Sequence, residues 1–454
     1  MRAEAVFRRI LIANRGEIAV RIVRACRQMG ITTVAVYSTA DRDSLHAHLA
    51  DEAICIGPPE ASESYLKIPS IIAAAEVANA QAIHPGYGFL SENARFAMIC
   101  RECKLGWIGP TPEAMALSGD KAACRAAVAR AGVPVVPGSD GVVQSVEEAV
   151  ALAERMGYPV LVKAAFGGGG KGMRLALNEA ALKHAVGMAQ NEAAAAFGNA
   201  GVYLEKFIDG ARHIEVQVLG DTTGRIIALG ERECTIQRRH QKLIEETPSP
   251  ALGDTLRAKI LRAGVKAARA IGYTSAGTAE FLLAPSGQFY FIEFNARIQV
   301  EHTITEEVTG IDLVREQIRL AAGEPLGYSQ VTPEGSAIQA RIYAEDPEHN
   351  FRPCPGRVDQ LHLPGGPGIR VDTHLYAGCE IPRYYDSLAA KVIARGRDRF
   401  EAIDRLACAL DEVHLGEIHN TAGLCARILR GNRFRRGDIA PDLIDEYLPR
   451  PESS

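Results

Sequence analysis

The segment that most constrains this chain is its opening run, FRRILIANRGEIAVRIVRACRQMGITTVAVYS, residues 7–38. The apolar stretch Ile10 to Ala13 stops at Asn14-Arg15-Gly16, and apolar residues then recur at helical spacing at Ile18, Ile22, Ala25 and Met29. Gly30 stands where a helix C-cap glycine is expected. Strand, tight loop, helix and strand in that order commit the start of the chain to a doubly wound α/β layer. DEAICIG suggests a second βα unit and AQAIHPGYG a third strand. The first loop reads N-R-G rather than G-x-G-x-x-G, so the layer lacks the dinucleotide fingerprint.

At 454 residues the chain has room for roughly three domains of ~150 residues. A boundary falls near Gly109-Pro110-Thr111-Pro112. Residues 135–207 read as a small separate lobe, with strands at Val160–Ala165 and Val202–Phe207 and an Ala-rich helix near Asn191–Phe197. A strand-rich segment follows to about Val331. A third region from about Gly335 is expected to hold short strands, turns and a helix near Arg399–Val413. A net charge of -4 with no block of like charge makes nucleic acid and anionic membrane poor partners. The first twelve residues mix Arg and Glu into the apolar run, unlike a signal peptide, and no stretch of ~18 apolar residues occurs. Ten scattered cysteines, with Cys100 and Cys103 as a lone C-x-x-C, read as buried or incidental thiols in a reduced, cytoplasmic protein.

Three segments carry chemistry. In YPVLVKAAFGGGGKGM a strand bearing Lys163 runs into Gly167, Gly168, Gly169 and Gly170. Glycines there let backbone amides close on phosphate oxygens, although Lys171-Gly172 is not a P-loop ending and a merely flexible surface loop would look the same. GTAEFLL and QFYFIEFNARIQVEH read as a hairpin turned at Pro285-Ser286-Gly287, with Glu280 across from Glu293. Alternation puts Glu293, Asn295 and Arg297 on one side, and two carboxylates with an amide oxygen suit Mg²⁺ carrying phosphates. A polar sheet face is the competing reading. Finally, Gln237, Arg238, Arg239, His240 and Lys242 crowd into one basic stretch, which reads as a solvated loop or as an anion site.

In this order the three segments resemble the ATP-grasp fold, and specifically the biotin carboxylase family. The resemblance extends over IANRGEIAVRI, HPGYGFLSEN, RHIEVQVLGD, RECTIQRRHQK, EFNARIQVEH, RIYAEDP and PRYYDSL. It implies a mixed α/β and α+β architecture. Residues 1–117 would form a Rossmann-like N-terminal domain and 118–331 an ATP-grasp domain with a mobile lid at about 135–207. Residues 332–450 would form a mixed C-terminal domain. The implied reaction is ATP-dependent carboxylation of biotin through carboxyphosphate.

The resemblance also implies roles residue by residue. Lys121, Lys163 and the glycine loop would contact ATP phosphates, Glu205 and Lys206 the adenine, and His213 the ribose. Gln237, His240 and Lys242 would line the phosphate and bicarbonate region, and Glu280, Glu293 and Asn295 would hold Mg²⁺ or Mn²⁺. Arg297, Gln299 and the backbone of Val300 would grip bicarbonate, Glu301 would be the general base and Arg341 would stabilise the biotin enolate. No Met-Lys-Met biotinylation motif is present, so the biotin is expected on a separate carrier protein or on a further part of a longer chain, with a carboxyltransferase partner. The resemblance also implies a homodimer. A urea- or guanidine-like acceptor and a non-catalytic nucleotide-binding subunit are the alternatives. Ala296 stands where the family usually has Thr, Phe294 where Met is common, Thr303 where Pro follows Glu-His, and Cys354 where Ser is usual.

Overall fold

The computed structural model describes residues 7–139, 141–164, 173–197 and 201–449. Strands β1 (Arg9–Ile12), β2 (Thr32–Ser38), β3 (Glu52–Gly57), β4 (Ala82–His84) and β5 (Gly106–Trp107) form one parallel sheet in the order β3-β2-β1-β4-β5. Helix α1 (Gly16–Met29) follows β1 and ends in a Schellman arrangement. The Gly30 N–H reaches the Arg27 carbonyl and the Ile31 N–H the Cys26 carbonyl, with Gly30 at φ +73°. β1 is apolar because the parallel sheet is covered on both faces: Ile10, Leu11 and Ile12 are all fully buried.

A second, three-stranded antiparallel sheet has the order β7-β6-β8, from β6 (Val160–Ala164), β7 (Arg174–Ala176) and β8 (Val202–Lys206). It packs with the helices Val146–Met156 and Glu179–Phe197 around its own core of Val160, Val162, Leu182, Val186, Val202 and Leu204. The second helix begins twelve residues before the Ala-rich tract that signalled it (179 against 191). Its true start is the Asn178 cap, whose side-chain oxygen accepts the Ala181 N–H.

The site is built on the third sheet. It comprises β9 (Arg212–Gly220), β10 (Ile226–Arg238), β11 (Gln241–Thr247), β12 (Ser275–Leu283), β13 (Phe289–Asn295) and β14 (Ser336–Tyr343), followed by the strands Leu388–Gly396 and Ile369–Thr373. The order is β13-β12-β9-β10-β11-β14, then Leu388–Gly396, then Ile369–Thr373, all antiparallel. The third region holds the expected short strands, Glu345–Asp346, Arg352–Pro353, Gly356–Arg357 and Glu380–Ile381, but also two long ones. β14 and Leu388–Gly396 are eight and nine residues long and continue the same sheet that carries Lys242. Every residue of β14 is buried, so the alternation that would have signalled a long strand is missing from the sequence. The helices Arg399–Asp411 and Ala422–Arg430 cover this end, giving a core that joins Ile244 and Ile338 to Leu406 and Ile428.

Candidate active site

Strand register lays a row of charges across four neighbouring strands. Arg232 of β10 pairs with Glu215 of β9, Glu215 with Glu280 of β12, and Glu280 with Glu293 of β13. Arg232 and Glu215 are completely buried and ion-paired, and Lys242 Nζ reaches Glu215 Oε2 at 2.7 Å. The next residue pairs along add Gln217, Thr278 and Asn295, which also stand side by side. Buried charges of this density persist only when paired, and here each is.

The segment after β13 brings the rest. Glu301 sits at the cap of the helix His302–Thr309, where its Oε1 accepts from Lys242 Nζ at 2.6 Å and its Oε2 from Arg341 Nη2 at 3.0 Å. Burial alone would raise the Glu301 pKa, but Lys242, Arg341 and Arg232 outweigh it and hold the carboxyl well below its ordinary range. Burial opposes the charge on Lys242 too, and its carboxylate neighbours overcome that, keeping the amine protonated. Gln299 is clamped at both ends: its Oε1 accepts from Arg232 at 2.9 Å and its Nε2 donates to Glu280 Oε1 at 2.8 Å. Lys391, fully buried, donates to the Val300 carbonyl and meets Glu17 Oε2, both at 3.0 Å.

Glu280 and Glu293 face one another across β12 and β13, as the hairpin reading anticipated. His213 Nε2 lies 3.1 Å from Glu280 Oε2, and Asn295 Nδ2 donates to Glu280 Oε1 at 2.6 Å. The pKa of His213 is lowered by burial and raised more by Glu280, a net upward shift. Glu293 pairs with Lys121 Nζ at 2.9 Å. Two carboxylates and an amide oxygen on adjacent strands are hard donors and fit a small divalent cation. Among the described residues, the His, Cys, Asp and Glu groupings close enough to hold an ion are His213–Glu215–Glu280 and Glu215–Cys234–Glu301. Cys100 and Cys103 belong to neither; the first is buried and the second exposed.

The basic stretch divides. Lys242 turns into the cluster. Gln237 donates to the Cys234 carbonyl, Arg238 lies over the Phe351 ring at 4.5 Å, and Arg239 and His240 form the exposed turn between β10 and β11. Lys163 pairs with Glu205 across β6 and β8, while Lys206 Nζ is held by the carbonyls of Gly157 and Tyr158. The run Gly167 to Gly170, with Lys171 and Gly172, lies outside the described residues.

Several members escaped sequence reasoning. Glu92, from HPGYGFLSEN, accepts from Arg297 Nε at 3.0 Å and from the Ala296 N–H at 3.2 Å. Arg297 also donates to Asn295 Oδ1 at 3.1 Å. Glu245 accepts from Arg341 Nε at 2.5 Å. Period-two polar positions in RHIEVQVLGD (His213, Glu215, Gln217) were the available signal for β9. Lys391 stands alone in the apolar run LAAKVIARG and gave none.

Comparison with known proteins matches three family models along the chain. They are biotin carboxylase N-terminal domain over residues 6–115, carbamoyl-phosphate synthase L chain ATP binding domain over 120–329, and biotin carboxylase C-terminal domain over 339–446. The chain is 56% identical to a biotin carboxylase of Nostoc sp. over 97% of its own length and 99% of the relative's. It is 51% identical to biotin carboxylase 1 of Bacillus subtilis, at 97% and 99% coverage. Among solved structures, the biotin carboxylase of Campylobacter jejuni superposes with a TM-score of 0.95 at 46% identity, covering 98% of this chain and 100% of that one. The dimeric biotin carboxylase domain of 2-oxoglutarate carboxylase from Hydrogenobacter thermophilus, solved with MgADP, ADP and bicarbonate, gives 0.94 at 47% identity, with coverage of 97% and 98%.

Proposed function

The chain belongs to the biotin carboxylase family, and from that premise we propose that the buried cluster centred on Glu301 is where it prepares bicarbonate for transfer to biotin. The chain is an ATP-grasp ligase that carboxylates biotin at the expense of ATP, with bicarbonate as the carboxyl source. The observation that carries the assignment within the chain is the pair of cations on Glu301, Lys242 at 2.6 Å and Arg341 at 3.0 Å.

A carboxylate clamped this way is a poor base at rest. Bicarbonate entering beside Arg297, Gln299 and the Val300 backbone competes for the same cations. As Lys242 turns to the new anion, Glu301 loses screening and its proton affinity rises in the state that needs a base. Glu301 then takes the bicarbonate proton while bicarbonate oxygen attacks the γ-phosphoryl group, giving carboxyphosphate and ADP. Lys121 and Lys163 neutralise phosphate charge, with the glycine run Gly167 to Gly170 assigned to the same phosphates. Glu205 and Lys206 are assigned to the adenine, His213 to the ribose, and Gln237 and His240 to the rim of the phosphate region. Mg²⁺ accompanying the nucleotide would be held by Glu280, Glu293 and Asn295 and supplies further charge neutralisation on the phosphates. Carboxyphosphate breaks to CO₂ and phosphate, that phosphate takes the proton from the biotin ureido nitrogen, and the nitrogen attacks CO₂ to give carboxybiotin. Arg341 is assigned to offset the developing oxyanion.

The biotin carboxylase domain of the Hydrogenobacter thermophilus 2-oxoglutarate carboxylase is a dimer. For this chain we assign a biotin carboxyl carrier protein, a carboxyltransferase partner, a homodimer and a cytoplasmic location. No helix among the described residues is long and apolar enough to cross a membrane.

The test is ADP release from MgATP with bicarbonate, then with added biotin. Turnover that requires bicarbonate, rises with biotin, and falls at least ~10²-fold in both Glu301→Gln and Arg341→Ala is the expected result. Stimulation by urea or guanidine in place of biotin would move the acceptor, and a full rate in Glu301→Gln would remove the base.

A further inference from the structure

Arg341 is held from two sides. Its Nη2 points at Glu301, while Nε donates to Glu245 Oε1 at 2.5 Å. Glu245 is completely buried and stands directly opposite Gln339 in the β11–β14 register; Gln339 and Arg341 share a face of β14. Gln339 Nε2 donates to Glu245 Oε2 at 3.0 Å, and Gln339 Oε1 accepts from the Thr303 hydroxyl at 2.5 Å.

We propose that Thr303, Gln339 and Glu245 form a relay that positions Arg341 for the biotin half-reaction, with the Thr303 hydroxyl setting its direction. The proposal rests on the reading of Arg341 given above and names three residues beyond it. None of the three is placed against substrate, so they are positioning residues. Their order follows from hydrogen-bond capacity. A glutamine amide offers an acceptor at one end and donors at the other, and a carboxylate only accepts. With Thr303 donating to Oε1, the amide hydrogens of Gln339 must face Glu245. Reversing the amide would set its oxygen against a buried carboxylate oxygen with no hydrogen between them. Oriented as it is, Gln339 occupies Glu245 Oε2 and leaves Oε1 for Arg341 Nε, so the other edge of the guanidinium stays turned to Glu301. Thr303 is completely buried, so its hydroxyl has no water as an alternative partner.

The experiment compares wild type with Thr303→Val, which keeps the shape and removes the hydroxyl, and with Thr303→Pro, a second hydroxyl-less variant. Thr303→Ser restores the donor. Two rates are read on each: bicarbonate-dependent ADP release without biotin, and the increment produced by free biotin. The expected result is a biotin-dependent kcat lowered about tenfold in Thr303→Val and Thr303→Pro, the scale of one hydrogen bond to a charged network. The KM for ATP stays at its wild-type value, the biotin-independent rate falls less than the biotin increment, and Thr303→Ser recovers the biotin increment. Unchanged biotin kinetics in both hydroxyl-less variants, an equal loss in both rates, or failure of Thr303→Ser to recover would each overturn the relay. A wild-type enzyme that biotin does not stimulate would sink the reading of Arg341, and the relay with it.

Discussion

Arg232 shows how far single residues depart from what their type suggests. An arginine in the run GERECTIQ reads as a solvent-facing charge, yet among the described residues it is the largest side chain hidden completely. Its guanidinium meets Glu215, Gln217, Thr278, Gln299 and Thr305, five partners from four separate segments. Removing it leaves Glu215 buried with less compensation and Gln299 without its anchor. Arg232→Met is therefore expected to lose about 3–5 kcal/mol of stability, the range for breaking one side of a buried pair, read as a lowered urea midpoint. Lys391 obeys the same logic from the other flank, since its amine is shared by Glu17 and the Val300 carbonyl.

Elements matter here mainly through register. No local pattern states that Arg232, Glu215, Glu280 and Glu293 line up; antiparallel pairing of four strands places them together. The β10–β11 turn is an element whose local chemistry is unfavourable. Arg239 and His240 carry φ of +49° and +67°, a conformation that Asn-Gly adopts without strain in a two-residue hairpin. Replacing Arg239-His240 with Asn-Gly should raise stability by about 1 kcal/mol in urea unfolding. The same variant tests His240: a rise in the KM for ATP would keep it among the nucleotide contacts, and an unchanged KM would remove it.

At the scale of the whole molecule, the N-terminal motifs act as stitching. Asn14 Nδ2 caps the carbonyls of Pro85 and Tyr87, Arg15 pairs with Asp41 through two bonds at 2.6 and 2.8 Å and lies under Tyr385, and Glu17 receives Tyr87 OH and Lys391. IANRGE, HPGYG and PRYYD are thereby pinned to one another and, through Lys391, to the segment at Val300. The interior of this region also stores neutral histidines. Burial pushes the pKa of His84 down from 6.5 to about 3 and that of His46 to about 4. Between those values and 6.5 the unfolded chain binds more protons than the folded one. Stability contributed by the neutral rings is thus complete above about pH 6.5 and is lost as pH falls, by up to ~1.4 kcal/mol per unit for each. Urea unfolding from pH 7 to 4 should show this slope, and His84→Gln should flatten it. By itself the sequence determined the βαβ beginning, the hairpin that sets Glu280 opposite Glu293, and the family. Those signals are local periodicities and turns, or motif strings that survive any packing. Only the tertiary structure decided that β14 and Leu388–Gly396 extend the central sheet, that Glu92, Arg232, Glu245 and Lys391 converge on the site, and that Lys242 turns inward while His240 stays in solvent. Register and burial are properties of strands brought together from distant parts of the chain, and they leave no mark on the spacing of residues along any one of them.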